Sequence, residues 1–196
     1  TAGAGMRDQY DKPNVILQGL MGVKETELVI DTEQAMQYEK QDLPFYQPID
    51  EVMIPGEDLQ PIPVIGARSL VELPPGIAGD GTNVQATDVI ATFKDGRPAL
   101  TTTSPGQGKA YYAAFLPGLS YFKPAMPMMP VDRGSTDEAS AHFIPTAFDA
   151  ASSGLIGIPV AGVARPVTAS NNLVQATIID SSKGMAIVLA NWTPEP

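Results

Sequence analysis

The first part of the chain combines a small-residue segment, a polar loop, a helical pattern and a strand-like run. Residues 1–5 are small and Gly-rich, as at the end of a buried strand that turns into a loop. Apolar side chains then follow helical spacing and stop at Gly22, which predicts a short amphipathic helix over Val15, Ile16, Leu17, Leu20 and Met21. Residues 27–31 (ELVID) are typical of a strand, and prolines break any long element in 32–60.

The clearest pattern lies between residues 88 and 116. Strand-like runs cover residues 88–93, 98–103 and 110–115. The first connection, Lys94-Asp95-Gly96-Arg97, is a hairpin turn signal, and the second is rich in Gly and Pro. This arrangement predicts a β-meander at the edge of a sheet, and residues 62–73 are expected to hold one further strand.

The second half of the chain reads as a connection, a helix and a hairpin. The Pro/Met-rich residues 117–135 indicate an inter-domain connection. Apolar spacing over 137–156 predicts a helix that is kinked or interrupted near Pro145. Residues 173–180 and 185–192 flank a short turn and predict a hairpin. Because a lone hairpin is marginal in water, it is expected to begin a β-sandwich that continues past Pro196.

Composition narrows the chemistry. The 196 residues carry a net charge of −10, which disfavours nucleic acid as a partner. No apolar run approaches the roughly 18 residues of a membrane span, so no membrane partner is expected. The chain has no cysteine and a single histidine, His142, which removes thiolate sites, Cys nucleophiles and His-rich metal centres. No metal and no cofactor is therefore expected.

One carboxylate pair stands out before the predicted helix. Asp8 and Asp11 lie in the segment RDQYD, beside Arg7. Paired carboxylates can serve glycoside hydrolysis, and they can also cap a helix. Capping of the following helix, with Arg7 as a local partner, is the favoured interpretation, and Arg7, Asp8 and Asp11 are kept as candidate substrate-binding residues of a loop near a partner's site.

The remaining candidates are weaker. Ser120 opens an S-x-x-K match without the further motifs of acyl-serine enzymes, and His142 lies in an apolar pattern typical of packing. Three acidic side chains lack EF-hand spacing and are read as a solvated loop, namely Asp132, Asp137 and Glu138. Four aromatic residues offer possible sugar platforms, namely Tyr111, Tyr112, Tyr121 and Trp192. For Trp192 a core position at a strand end is the preferred interpretation.

Three stretches resemble a known family. Residues 1–23, with their small-residue strand, D-x-x-x-x-P loop and helix, look like part of the trimerisation domain of β-galactosidases. Residues 91–116, with DGRPA and the Tyr-Tyr strand, look like the closing meander of that domain. The tail 178–196 is similar to the first hairpin of the β-sandwich that follows it. The resemblance implies a class I glutamine-amidotransferase-like, flavodoxin-like fold.

The same resemblance implies an absence of catalytic residues. The amidotransferase triad needs a cysteine, which this chain lacks, and the catalytic glutamates of β-galactosidases lie in a separate barrel domain. The expected architecture is an incomplete three-layer α/β domain over 1–124, a linker and helix over 125–168, and the start of a β-sandwich over 169–196. Both ends of the chain look cut.

The expected function is a non-catalytic scaffold or oligomerisation domain of a larger glycoside hydrolase-like protein. Its expected partners are a catalytic barrel domain of the same parent chain, further copies of itself, and carbohydrate. The alternatives are a carbohydrate-binding module and a small serine hydrolase that uses Ser120 or His142. A periplasmic or extracellular parent is favoured, with the cytoplasm left open.

Overall fold

Nine strands and three short α-helices make up the part of the chain that the structure describes. The computed structural model describes residues 2–3, 5–30, 48–55, 60–73, 86–125, 148, 150–171 and 173–192. The helices are α1 (Val15–Met21), α2 (Pro117–Ala125) and α3 (Ala150–Gly157), and a 3-10 turn follows at Ile158–Val160. The strands are β1 (Lys24–Ile30), β2 (Asp50–Met53), β3 (Ile62–Val64), β4 (Ala67–Glu72), β5 (Asp88–Phe93), β6 (Pro98–Thr103), β7 (Ala110–Ala113), β8 (Val174–Ser181) and β9 (Gly184–Asn191).

Helix α1 confirms the predicted helix and its stop. The Asn14 side chain caps its start by accepting from the Leu17 amide at 3.2 Å. Gly22 ends it in the left-handed conformation, at φ 63°. A Cβ at Gly22 would lie 2.2 Å from Thr87 Oγ1, and the same hydroxyl donates to the Gly22 carbonyl at 2.7 Å. Glycine is therefore required here both for the backbone angle and for close packing.

A five-stranded antiparallel sheet has the order β3-β2-β5-β6-β7. It contains the predicted meander, β5-β6-β7. Strands β5 and β6 each have a neighbouring strand on both sides, and β7 is the edge strand at that end of the order. Beyond β7 the chain continues to Phe115, which forms a bridge with Arg68 of β4. The Ser69 amide also donates to the Ala114 carbonyl at 2.7 Å.

These contacts make the sheet curl. Strands β3 and β4 follow each other along the chain with only Ile65 and Gly66 between them. Yet β3 pairs with β2 at one edge, whereas β4 lies beside the continuation of β7 at the other. The two edges of the sheet are therefore brought together. Gly66, at φ 83°, allows this bend, because a Cβ there would lie 2.9 Å from a methyl group of Leu119.

The hydrophobic core fills the inside of this curl. Its largest fully buried apolar side chains are Phe93, Phe115, Ile62, Ile65, Val52 and Val64. Phe93 and Phe115 pack edge to face with ring centroids 6.4 Å apart. Ala151 and Leu155 of α3 belong to the same core cluster, so α3 packs on this core.

The flavodoxin-like α/β prediction is wrong. Such a fold has a mainly parallel sheet with crossover helices, whereas every strand pairing among the described residues is antiparallel. Helix α1 has seven residues, too few for a crossover connection between parallel strands. Strand β1 instead pairs with β4, antiparallel, from Lys24–Glu72 to Ile30–Ala67. The fold is mostly β, with helices at its margins.

The second half differs from the expected linker in one respect. Residues 117–125 form α2, which contacts α3 and β3, where an irregular connection was predicted. The predicted helix over 137–156 corresponds at its end to α3, while 137–147 lie outside the described residues.

In the first half of the chain, residues 62–73 hold two strands, β3 and β4, where one was predicted.

The C-terminal hairpin is confirmed. Strands β8 and β9 pair in continuous register from Val174–Asn191 to Ser181–Gly184. Among the described strands they form a sheet of their own, separate from the curled sheet. The expectation that this hairpin begins a β-sandwich stays a prediction.

Candidate functional site

The most concentrated polar cluster of the described residues surrounds the buried carboxylate of Glu25. This side chain lies near the start of β1, and the residue is 5% exposed. Its Oε1 accepts from the Gly3 amide at 2.7 Å, from the Ser69 hydroxyl at 2.7 Å and from the Tyr112 hydroxyl. Its Oε2 accepts from the Gly5 amide at 2.8 Å. Four donors from three separate parts of the chain therefore meet on one carboxylate.

The two hydroxyl donors come from the sheet. Ser69 lies on β4 and Tyr112 on β7, and both residues are buried. Burial raises the pKa of the Tyr112 hydroxyl well above its ordinary value of 10.0, and the hydrogen bond to Glu25 raises it further. The hydroxyl therefore remains a proton donor at neutral pH. This arrangement positions the carboxylate, and it does not prepare Tyr112 to act as a base.

A small cavity adjoins the carboxylate. Its volume is about 40 Å³, and its lining consists of Gly5, Leu17, Gln18, Met21, Val23, Glu25 and Tyr112. A water needs about 10–15 Å³ of such space, so the cavity has room for a few waters. Ligand pockets are usually about 300–1,000 Å³, so a sugar ring does not fit without a rearrangement.

The two amide donors belong to an N-terminal strap, which we define as Ala2, Gly3 and Gly5. Two charge-assisted hydrogen bonds of about 1.5–3 kcal/mol each contribute about 3–6 kcal/mol to its attachment. Since no large apolar side chain is present at these three positions, hydrogen bonds to Glu25, Ser69 and the Phe115 carbonyl are the contacts that attach the strap.

The predicted site residues Arg7, Asp8 and Asp11 lie together in an exposed loop before α1. Asp8 Oδ1 accepts from the amides of Tyr10 at 2.8 Å and Lys12 at 2.9 Å. Arg7 donates to the Asp11 carbonyl at 2.8 Å and lies 3.7 Å from its carboxylate. The prediction that Asp8 or Asp11 caps α1 is wrong, because Asn14 is closer to the helix and takes that role. The prediction that Arg7 is a local partner of these carboxylates is confirmed by its contacts with Asp11.

Hydrogen bonds within the loop close it on itself, and apolar side chains follow it in α1. Asp8 and Lys12 also pair through their backbones at 2.8 Å, and Asp11 adopts φ 60°, which is uncommon for a residue other than glycine. Tyr10 projects at its tip and is 72% exposed. Val15, Ile16 and Leu20 of α1 are exposed beside it. The loop therefore presents an aromatic ring and four charged residues on one short exposed segment.

A second ionic cluster holds the curled sheet together. The guanidinium of Arg68, on β4, pairs with Asp50 of β2 and lies 3.0 Å from Asp95 in the β5–β6 turn. It also lies over the Phe93 ring, 4.9 Å from the centroid. Partial burial tends to raise the pKa of Asp95. The hydrogen bonds from Arg97 and Arg68, together with their charges, outweigh burial and hold this pKa below its ordinary value of 3.8.

The structure describes only some of the remaining candidates. Ser120 is 1% exposed in α2, so a substrate cannot reach its hydroxyl, and its Oγ has no hydrogen-bond partner among the described residues. Tyr112 is buried in the Glu25 cluster, and Tyr121 stacks on Phe148 at 4.5 Å. Trp192 is 53% exposed, which contradicts its expected core position. Four further candidates lie outside the described residues, namely His142, Asp132, Asp137 and Glu138.

Sequence reasoning missed both Glu25 and Arg68. Glu25 lies in the polar stretch Lys24–Glu27, which resembles an exposed strand end, and Arg68 lies between Ala67 and Ser69 in a strand of mixed polarity. Strand alternation was the one available signal, because Glu25 shares the inward face with Val23. Within the described residues, no group of three or more potential metal ligands occurs, and no helix is long and apolar enough to cross a bilayer.

Comparisons with known proteins add one distant likeness. No family model matches the chain, and no curated protein matches it. A similar solved structure is that of a catalytic mutant of Gan42B, a GH42 β-galactosidase from G. stearothermophilus, at 15% identity and a TM-score of 0.38. The match covers 59% of this chain and 14% of that enzyme. A likeness at this TM-score assigns the chain neither a family nor a function.

Proposed function

We propose that this chain is a non-catalytic scaffold module of a larger glycoside hydrolase-like protein, and that it binds the rest of that protein through the β8–β9 hairpin. The class of the parent comes from the sequence resemblance of residues 1–23, 91–116 and 178–196. The main support for the scaffold role is an apolar face of the hairpin. None of the described residues covers this face.

One face of the hairpin is strongly apolar. Cross-strand partners share a face, and this face contains the pairs Ala176–Leu189, Ile178–Ile187 and Asp180–Met185. On β9 the exposed fractions are 64% for Met185, 56% for Ile187 and 64% for Leu189. No charged residue occurs between Met185 and Ala190. A row of exposed apolar side chains on one face of a hairpin is suited to packing against a second sheet.

The size of this face favours a tethered partner over a free one. Eight residues span about 26 Å, and two strands are about 10 Å wide, which gives a face of about 250 Å². Two copies packed face to face would bury about 500 Å², whereas a stable interface needs about 1,200 Å² or more. The proposed occupant is therefore a second β-sheet of the same parent polypeptide, as in a β-sandwich.

The test compares one substitution in two contexts. Ile187→Glu is expected to leave the melting temperature of the 196-residue chain within about 2 °C, because the side chain is already exposed. In the full-length parent the same change is expected to lower it by about 5 °C or more, because a charge would be buried. Val188→Glu, on the opposite face of β9, is the matched control. Equal, small effects of Ile187→Glu in both proteins would refute the proposed interface.

The non-catalytic part of the proposal has a separate test. The purified chain is expected to release no aryl alcohol from a panel of aryl α- and β-glycosides above the rate without protein. Turnover that follows the chain through purification would contradict a scaffold role and leave the hairpin interface untouched.

The loop that contains Arg7, Asp8 and Asp11 is proposed to contact substrate in a neighbouring active site of the parent. Its support is the exposure of Tyr10, whose backbone amide donates to Asp8, and the ion pair between Arg7 and Asp11. Asp8→Ala removes two hydrogen bonds from this turn and is expected to change the parent's KM several-fold, with a small effect on stability because the loop is exposed. Unchanged turnover and unchanged substrate preference in the Asp8→Ala and Asp11→Ala parents would argue against this role.

A carbohydrate-binding module is the second candidate, and the exposure of Trp192 favours it. An exposed indole at the end of a strand can stack on a sugar ring. Isothermal titration with oligosaccharides separates the two functions, because a binding module releases heat that Trp192→Ala abolishes, whereas a scaffold shows no binding.

A further inference from the structure

The β5–β6 turn contains a chemically reactive pair of residues, Asp95 and Gly96. Because glycine has no side chain, its peptide nitrogen can approach the carboxyl carbon of the preceding aspartate. When the nitrogen attacks this carbon, water leaves and a cyclic imide forms, and water then reopens the imide at one of its two carbonyls. Opening at the former main-chain carbonyl gives isoaspartate, which has the same mass as aspartate and needs no further reactant.

The structure restrains both reacting groups of this turn. The Gly96 amide donates to the Phe93 carbonyl at 2.9 Å, so the nitrogen is engaged inside the turn. Asp95 Oδ1 accepts from the Arg97 amide at 3.0 Å, and Oδ2 accepts from the Arg68 guanidinium at 3.0 Å. The carboxylate is therefore held from two sides, and these hydrogen bonds must break before its carbon can meet the Gly96 nitrogen.

The charge of the Asp95 carboxylate opposes the same reaction. A neutral carboxyl group loses water in imide formation more readily than a carboxylate does. Partial burial favours the neutral form, but hydrogen bonds and charges from Arg97 and Arg68 outweigh it and hold the pKa of Asp95 below its ordinary value of 3.8. Arg97 is close in sequence, whereas Arg68 comes from β4, so only the folded chain supplies the second partner.

We propose that Asp95 is a site of isoaspartate formation, and that its contact with Arg68 sets the rate of conversion. Arg68 is held in place by groups outside the turn, because it pairs with Asp50 and lies 4.9 Å from the centroid of the Phe93 ring. The ionic cluster that joins β4 to β2 therefore also preserves the covalent structure of the turn. Conversion would add one carbon to the main chain and move the carboxylate away from Arg68.

Peptide mapping after incubation at neutral pH and physiological temperature tests the proposal. Chromatography separates the isoaspartyl peptide, and mapping is required because the sequence contains a second Asp-Gly pair, Asp80-Gly81. Conversion at Asp95 is expected to be about tenfold faster in Arg68→Met than in the unmodified chain, since one charge-assisted hydrogen bond is lost. The chain unfolded in guanidinium chloride is expected to convert at least as fast as this variant. Equal rates in the folded and unfolded chain would overturn the proposal.

Glu25→Ala is the matched control, because it separates the contact with Arg68 from a general loss of stability. The hydrogen bonds of Glu25 do not involve Asp95, so conversion at Asp95 is expected to stay within about twofold of the unmodified chain. Arg68→Lys keeps the positive charge without the guanidinium fork, and an intermediate rate is expected. Equal acceleration in Arg68→Met and Glu25→Ala would assign the effect to unfolding and refute the role of Arg68, as would an unchanged rate in Arg68→Met.

Discussion

Replacement of Glu25 by alanine is expected to lower the free energy of unfolding by about 4 kcal/mol. The change leaves the Gly5 amide and the hydroxyls of Ser69 and Tyr112 buried without their acceptor. Each such group costs about 1–3 kcal/mol, and the Gly3 amide keeps only Ser69 as a partner. Urea denaturation followed by far-UV circular dichroism at neutral pH measures the loss.

Glu27→Ala is the matched control for this prediction. Glu27 lies on the same strand and is exposed, so its removal is expected to change stability by less than about 0.5 kcal/mol. Similar losses for the two variants would mean that the Glu25 cluster does not stabilise the fold. Glu25→Gln refines the result, because its amide group cannot accept on both sides, and an intermediate loss is expected.

Arg68→Met is expected to lower the free energy of unfolding by about 3 kcal/mol. Methionine keeps apolar contact with Phe93 but leaves the carboxylate of Asp50 unpaired. The side chains of Arg68 and Asp50 are 16% and 11% exposed, so solvent screens this pair weakly. The pair with Asp95 contributes less because Asp95 is 40% exposed. Thermal and urea unfolding provide the measurement.

A double substitution separates loss of the ion pair from loss of packing. Arg68→Met combined with Asp50→Leu is expected to recover part of the loss, because no unpaired carboxylate remains in the interior. If the double variant loses the sum of the two single effects, the pair is not energetically coupled and this explanation of the sheet closure fails.

The same cluster predicts a dependence on acid. Because the pKa of Asp95 is depressed in the folded state, its contribution is present above the ordinary value of 3.8 and is lost as the pH falls through the lower folded value. Arg68→Met removes one cause of the depression, so stability is expected to fall less steeply on acidification below that value than it does in the unmodified chain.

Local patterns predicted the elements whose determinants are close together in sequence. Helix α1 stops at Gly22 because a left-handed residue is needed there, and the meander turns at Gly96 for the same reason. The β8–β9 hairpin follows from two apolar runs that flank a short turn. In each case the chain supplies both partners within a few residues, and periodicity and turn chemistry are sufficient.

The fold class could not be predicted in this way. A small-residue segment, a helix and a strand in succession are typical of a βαβ unit, and they occur here without one. Whether β1 pairs in parallel or antiparallel depends on β4, which lies about forty residues further along the chain. The entropic cost of closing a loop grows only slowly with its length, so a distant strand is nearly as accessible to β1 as a nearby one. The sequence around β1 therefore does not determine which strand it pairs with.

By itself the sequence determined the helix with its glycine stop, the meander, the hairpin and the lack of cysteine chemistry, since these depend on neighbouring residues or on composition alone. Only the tertiary structure decided that the sheet curls, that Arg68 joins β2 to the β5–β6 turn, and that Glu25 is buried. The physical reason is that a carboxylate in a polar strand segment is exposed until donors from β4, β7 and the N-terminal strap arrive together. The burial of this charge depends on donors from separate parts of the chain, so no single stretch of the sequence predicts it.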